Sequence, residues 1–461
     1  MKTRISFHPR KLPTHTLIAL AGFVMLVMSV VSVSSAWSQQ ASSASVTVGL
    51  GSNLGMLKFA EAEQMMLARN RDIQLARRGI EAAHANTISA GAPPNPNLTI
   101  GVGSINPSVG VGGGAYRDKT VDTSIRIDQL VERGDKRELR LAASQSLKMA
   151  ADQDFQDTVR QQTLALRGAF YDLMLAQDRL TIAEETGRLF DRSVAAAELR
   201  FKAGDIAASD VSRLRVDALR AANDLRAVSA DVQRARLTLG LLIGAEDKAA
   251  SIQALDAWPA VSNLPGEVAA DVIEQRADVR AAVARVDAAR IARDLARSQR
   301  TRDVSFGVQY DHYPASPSNT AGSGNFYGIS VSIPLFARYN FEGEIRRAES
   351  DYAAAMEALD RIRALARTDL ARSYSDVQAS AERLKRYDDA LLVEARKSAE
   401  SAEFAFRHGA IGVMDLLDAR RTLRAIQNDA AQARNEFAKA LSSWQTGRMV
   451  AAAADHGSST D

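Results

Sequence analysis

Apolar residues follow two different periods along this chain, in separate segments. Between Asp135 and Ala203, Leu166, Leu173, Leu180, Gly187, Val194 and Phe201 recur every seven residues. Ala169, Ala176, Ala183, Phe190 and Ala197 follow in the same step three positions later. Two such rows make a coiled-coil seam, and small side chains in the second let helices approach closely. Only Gly168 and Gly187 interrupt the helix-forming composition of this window. It predicts one helix about 100 Å long, far beyond the ~10–14 residues of an ordinary globular helix.

Elsewhere the period is two. Leu98, Ile100 and Val102; Val121, Ile125 and Ile127; Val304, Phe306, Val308 and Tyr310; and Tyr327, Ile329, Val331, Ile333 and Leu335 mostly alternate with polar or small residues. These runs predict four strands with one apolar and one polar face. The segments Gly103 to Thr120 and His312 to Asn325 predict long surface loops joining the strands in pairs. Proline sharpens the boundaries. None of the 11 prolines falls in 108–258 or 335–461, where long helices can therefore run without the ~3 kcal/mol cost of an interior proline.

The plan occurs twice. A shift of 206 residues superposes Asp72 on Asp278, Gly101 on Gly307, Ser124 on Ser330, Glu138 on Glu344 and Arg140 on Arg346. A shift of 205 superposes Glu198 on Glu403, Phe201 on Phe406, Gly204 on Gly409, Asp210 on Asp415 and Arg215 on Arg420. Alanine-rich composition does not produce Gly, Phe and Asp matches at a fixed shift, so the chain reads as an internal duplication. Each half is helix, strand, long loop, strand, long helix, glycine turn, helix. The turns Phe201-Lys202-Ala203-Gly204 and Phe406-Arg407-His408-Gly409 carry a helix-capping glycine after a basic residue.

Composition adds a compartment. There are 58 Lys and Arg against 55 Asp and Glu, but Lys2, Arg4, Arg10 and Lys11 stand at the start. They precede an apolar run, Leu17 to Val33, and a small-x-small site at Ala36-Trp37-Ser38. This predicts a secretory signal peptide over 1–38, a membrane anchor being the weaker reading. Without it the balance is 54 against 55, so the basic pI is no argument for nucleic acid. With 0 Cys, disulfides, thiol catalysis and Cys-ligated metals are excluded. His84, His312, His408 and His456 are too scattered for a metal site, and Gly110–Gly114 lacks the Lys-Ser/Thr of a phosphate loop. No constellation of nucleophile, base and oxyanion donor stands out. The chain reads as a non-enzyme without a cofactor.

Four strands cannot close a barrel, and lipid does not tolerate open strand edges. Four strands from each of three chains, twelve in all, would close one with the apolar face outward. Tyr116, Tyr310, Tyr313, Phe326, Tyr327 and Phe336 are placed for an aromatic girdle. The duplicated plan, Gln275-Arg276-Ala277-Asp278-Val279-Arg280-Ala281-Ala282, the strand end Ser330-Val331-Ser332-Ile333-Pro334-Leu335-Phe336, and the doubled Phe-x-x-Gly turns resemble the TolC-like outer-membrane efflux family. The resemblance covers about residues 57 to 447. It implies a mainly α fold with a small β contribution: a homotrimeric outer-membrane β-barrel continued by a periplasmic α-helical barrel. It also implies a periplasmic adaptor (membrane fusion) protein and an inner-membrane RND-type pump as partners, with outer-membrane lipid around the barrel. The segment Asp128 to Arg137 resembles the branch for divalent metal cation export, although Asp135 interrupts its Gly-Lys-Arg cluster.

On this reading 39–56 is an N-terminal linker, 57–245 the first efflux repeat, 246–265 an inter-repeat equatorial segment, 266–445 the second repeat and 446–461 a C-terminal tail. The tips Phe201, Lys202, Gly204, Phe406, Arg407 and Gly409 would contact the adaptor. By resemblance, Asp415 and Asp418, with Asp210 in the first half, would narrow the periplasmic entrance. Asp415 and Asp418 from three chains would gather six carboxylates around one axis and attract cations. Asp210 reads equally as a partner of the helix dipole. Ile411 stands where the family's best-known member carries a basic residue that locks the entrance, leaving Arg407 or Arg420 as candidates for that contact. The expected function is passive conduction of small solutes, metal cations or drugs, from a periplasmic pump to the exterior. The same duct serving type I protein secretion, and a soluble periplasmic coiled-coil scaffold, are the alternatives.

Overall fold

The computed structural model describes residues 55–449 except 106, 109, 116–118, 262–270 and 316–321. The expected signal peptide, nearly all of the linker, Tyr116 and most of the tail lie outside the described residues. In the first half, α1 (Phe59–Arg69) and α2 (Arg71–Gly91) precede β1 (Asn97–Gly103) and β2 (Asp122–Val131). A helical hairpin of α3 (Lys136–Lys202) and α4 (Ala208–Leu242) follows, then a 3-10 turn over Glu246–Ser251. The second half repeats the plan with α5 (Asp271–Glu274), α6 (Ala277–Ser298), β3 (Val304–Tyr313), β4 (Gly324–Ser332), α7 (Glu342–Arg386), α8 (Leu392–Arg407) and α9 (Val413–Gly447). A π turn over Tyr387–Leu391 separates α7 from α8, whereas α3 runs unbroken for 67 residues.

The heptad rows of α3 face its seam. Leu166, Leu173, Ala169, Ala176, Ala183, Phe190 and Ala197 are all buried. The first row loosens along the helix: Leu180, Gly187 and Val194 are half-buried and Phe201 is 46% exposed. Among the described residues, no helix is long and apolar enough to cross a membrane.

The four strands form one antiparallel sheet in the order β1-β2-β3-β4. Its register stacks Leu98, Ile127, Val308 and Ile329 in one row and Ile100, Ile125, Tyr310 and Tyr327 in the next. Alternate rows carry Thr99, Arg126, Gln309 and Gly328, and Asn97, Asp128, Gly307 and Ser330. One face is therefore apolar and the other polar. On the apolar face Leu98, Ile100, Val308, Tyr327 and Ile329 are exposed. β4 stops at Ser332, short of the expected Leu335, because Pro334 has no amide hydrogen to continue the ladder. At the other end β3 and β4 run two residues into the expected loop, pairing His312 with Asn325 and Tyr313 with Gly324.

Both strand-to-helix elbows use a left-handed residue at the same repeat position, Asp135 (φ 56°) and Phe341 (φ 59°). At the first elbow Lys136 is buried, and its Nζ donates to both Asp303 carboxylate oxygens and to the Thr301 carbonyl at 2.8 Å. This ties the start of α3 to the root of β3.

Midway along the helices, α1, α3 and α4 share a core with the inter-repeat segment, including Leu57, Met66, Phe170, Leu239, Ile243 and Ile252. Gln177 holds that segment by exchanging hydrogen bonds with the Ala254 backbone at 2.9 and 3.0 Å. Trp258 stacks on Tyr171 with centroids 5.8 Å apart and donates to Asp178 at 3.1 Å. Burial raises the Asp178 pKa, an effect that the Trp258 bond partly offsets. The helix caps of the two halves diverge. Buried Asn70 accepts from the amides of Asp72 and Ile73 at 3.0 and 3.1 Å. At the equivalent place buried Arg276 grips Asp278 at 2.6 and 3.1 Å. Burial opposes ionisation of Asp278, but the hydrogen bond and charge of Arg276, with Arg160, outweigh it and hold the carboxyl below its usual range.

Gly204, Gly409 and Gly244 all have positive φ, yet a Cβ at Gly244 would lie 2.7 Å from Arg69 Cβ, while the other two face open space. Alanine at Gly204 or Gly409 costs about 1 kcal/mol of backbone strain; Gly244→Ala costs more, read as a larger fall in thermal midpoint. Asp278→Asn leaves Arg276 buried without its counter-charge and lowers stability at pH 7 by about 2 kcal/mol, less than a fully buried pair because Asp278 keeps some water contact. The depressed pKa places this stabilisation above the ordinary aspartate range. It disappears as pH falls through the folded value, so mutant and wild-type midpoints converge in strong acid.

Candidate functional site

Both hairpin tips end their first helix in the same way. Gly204 and Gly409 adopt φ 84° and 73°. The Gly204 and Asp205 amides donate to the carbonyls of Phe201 and Arg200 at 3.0 and 2.9 Å. The Gly409 and Ala410 amides donate to those of Phe406 and Ala405 at 3.1 and 2.9 Å. This paired closure satisfies orphan carbonyls and reverses the chain within a few residues. A further closure ends α4, at Gly244.

The tips of the two halves meet in one small core. Phe190, Ala197, Val211 and Leu214 of the first hairpin pack with Phe406, Val413, Leu416 and Leu417 of the second. The sequence-equivalent phenylalanines are not equivalent here. Phe406 is buried, with the Arg200 guanidinium 5.1 Å from its ring centroid, whereas Phe201 is exposed. Lys202, Gly204, Arg407 and Gly409 are exposed around them.

Asp415 and Asp418 lie one turn apart on exposed positions of α9, each beside a buried leucine of the tip core. Asp415 Oδ2 also accepts from the Gly412 amide at 3.2 Å and so caps α9. Asp418 has no ion-pair partner among the described residues. Asp210 occupies the first turn of α4 and lies 3.8 Å from Arg213. The helix-capping hydrogen bond is therefore made by Asp415 and not by Asp210, whose side chain only neighbours Arg213.

Each hairpin is braced by the same ion pair. Arg215 of α4 meets Glu198 of α3 at 2.6 Å, and 205 residues on Arg420 of α9 meets Glu403 of α8 at 3.4 Å. Burial opposes ionisation of Glu403, but Arg407 and Arg420 outweigh it and hold its carboxyl below the usual range. Arg407 pairs within its own helix, with Glu403. Arg420 reaches across to the Ser193 hydroxyl of α3.

Further cross-hairpin contacts join α4 to α9. Arg421 meets the buried Asp217 at 2.7 Å, and Arg424 meets Asp224 at 2.6 Å. Sequence reading did not select these four residues. Asp217 and Asp224 stand seven apart on one stripe of α4, which was a usable signal, but their partners lie about 200 residues away. Among the described residues no group of His, Asp and Glu could hold a metal ion.

Comparison with known proteins agrees with this architecture. The model of the outer membrane efflux protein family matches residues 63–245 and 268–443. The cobalt-zinc-cadmium resistance protein CzcC of Cupriavidus metallidurans is 26% identical over 381 residues, covering 80% of this chain and 84% of that protein. The outer membrane protein TolC of Vibrio cholerae is 25% identical over 304 residues, covering 63% of this chain and 68% of that one. Crystal structures of CusC superpose with a TM-score of 0.71 at 18% identity, over 85% of this chain and 91% of that chain. The Vibrio cholerae outer membrane protein VceC superposes with a TM-score of 0.69 at 17% identity, over 85% and 95%. Two tandem family matches on a duplicated strand-and-hairpin fold make this chain a member of the outer membrane efflux protein family, a channel of the outer membrane that extends into the periplasm.

Proposed function

We propose that the chain is the exit channel of a tripartite efflux system, a homotrimer that passively conducts small solutes delivered by an inner-membrane RND-type pump through a periplasmic adaptor. The observation that carries this reading is the sheet: four strands with an exposed apolar face and two unpaired edges, joined to hairpins far longer than a globule needs. Three copies supply the missing edge partners and surround one axis with helices. The exposed tips, with Phe201, Lys202 and Arg407 around the capping glycines, are the adaptor-contact surface.

Divalent metal cations are the favoured cargo. Relatives named for cobalt, zinc and cadmium resistance and for cation efflux support this, as does the chemistry of the tip. Asp415 and Asp418 of three chains form an acidic entrance, with Asp210 near it. The ion pairs Asp217–Arg421 and Asp224–Arg424 take the place of a lock at Ile411 and hold the hairpins in their closed arrangement.

Planar-bilayer recording tests both roles. Asp415→Asn with Asp418→Asn lowers the cation preference and the block by divalent cations roughly threefold or more at low salt, where the Debye length is long. Unchanged selectivity rejects the entrance assignment. Asp217→Asn with Asp224→Asn removes the cross-hairpin charges and raises single-channel conductance severalfold. A variant that stays as closed as the wild type assigns these pairs to stability alone.

A further inference from the structure

The root of the second strand pair carries arginines that no carboxylate answers. At the root of the first pair three of the four basic side chains from Arg133 to Arg140 have an acidic partner: Lys136 has Asp303, Arg137 has Glu138 and Arg140 has Glu132, while Arg133 is exposed without one. In the second half Arg300, Arg302, Arg338 and Arg346 are exposed, and none pairs with a described carboxylate. Two of them are held by other contacts. Arg300 Nε donates to the Asn340 carbonyl at 3.3 Å, and the Arg302 guanidinium lies 5.7 Å from the Phe336 ring centroid. The nearby Glu344 is engaged by the Tyr339 hydroxyl at 2.5 Å.

Their level in the fold is set by the sheet. The lipid-facing row Val331, Ile333 and Leu335 stays exposed down to Leu335, which is 78% exposed. Immediately below, Phe336 and Phe341 pack edge to face at 5.1 Å, and Tyr339 flanks Phe341. Arg302 precedes the first residue of β3 by two positions, about 7 Å of chain. A bilayer adds several ångströms of headgroup to each side of its hydrocarbon, so the aromatic and basic residues fall in the headgroup layer facing the periplasm. At this level Arg297, Arg300, Glu342, Ile345, Arg346 and Glu349 line a groove of about 590 Å³ between α6 and α7. Arg297 is taken by Glu349 at 2.8 Å, which leaves two cations, Arg300 and Arg346, against one carboxylate without an ion-pair partner among the described residues, Glu342.

We infer that this groove binds the phosphodiester of a glycerophospholipid from the periplasmic leaflet, gripped by Arg300 and Arg346, with acyl chains rising along the Val331–Leu335 face. Guanidinium forks suit phosphate oxygens, and the aromatic residues above suit the boundary between headgroup and chain. The ligand is a membrane lipid rather than a soluble anion, because the groove opens where an apolar, lipid-level surface begins. The inference needs only the outer-membrane setting of the family and is independent of what the channel carries.

Native mass spectrometry of the assembled protein, purified in detergent and titrated with phosphatidylglycerol, phosphatidylethanolamine or inorganic phosphate, tests it. Both lipids bind the wild type, and inorganic phosphate competes only weakly. Arg300→Gln with Arg346→Gln weakens lipid binding roughly ten- to thirtyfold, from the energy each arginine contributes at a phosphate-bearing surface. Arg346→Lys, which keeps the charge and loses the fork, falls between the wild type and the double variant, and Arg361→Gln, further along α7, changes nothing. Single-channel conductance of each variant confirms that it is assembled and is read separately from lipid affinity. Equal lipid binding by the double variant and the wild type overturns the site. Inorganic phosphate binding as tightly as lipid overturns the lipid assignment.

Discussion

Backbone hydrogen bonding in a medium without water governs this molecule. The sheet of four strands leaves β1 and β4 with unpaired amides and carbonyls along one edge each. In water such edges are tolerable; in hydrocarbon each unmet group costs several kcal/mol. In the proposed trimer, neighbouring copies meet that deficit. The outer-membrane setting explains a second feature, that apolar side chains as exposed as Ile329, at 86%, are compatible with a stable protein: lipid covers them.

At the other end of the helices the duplication is conserved in the backbone and abandoned in the side chains. Both tips close with the same glycine geometry, and both hairpins carry the same Glu–Arg brace. Yet Phe406 enters the tip core while Phe201 remains outside, and the cross-hairpin pairs run from aspartates on α4 to arginines on α9. Equivalent positions of the two hairpins meet different neighbours, so they need not share an environment. The basic residues at the strand roots diverge too: Lys136, Arg137 and Arg140 of the first half have carboxylate partners and Arg133 does not, whereas Arg300, Arg302, Arg338 and Arg346 of the second half have none among the described residues.

Much of this was legible in the chain. Helix length, strand alternation, capping glycines and the repeat are local or periodic properties, and such signals survive without knowledge of neighbours. Departures arose where a single residue or a distant partner intervened. Pro334 ended β4 early. The π turn at Tyr387–Leu391 carries no glycine or proline to announce it. Asp415, read as an entrance residue, is also engaged by the Gly412 amide.

The elements, their doubled order and the two-faced character of the strands are written into the chain locally, because backbone sterics and the period of burial act within a few residues. Tertiary structure alone decided which phenylalanine is buried, which aspartates meet arginines about 200 positions away, and which basic residues are left without partners. Those outcomes depend on how two nearly identical hairpins pack, and charge pairing at a few ångströms is set by that packing rather than by separation along the chain.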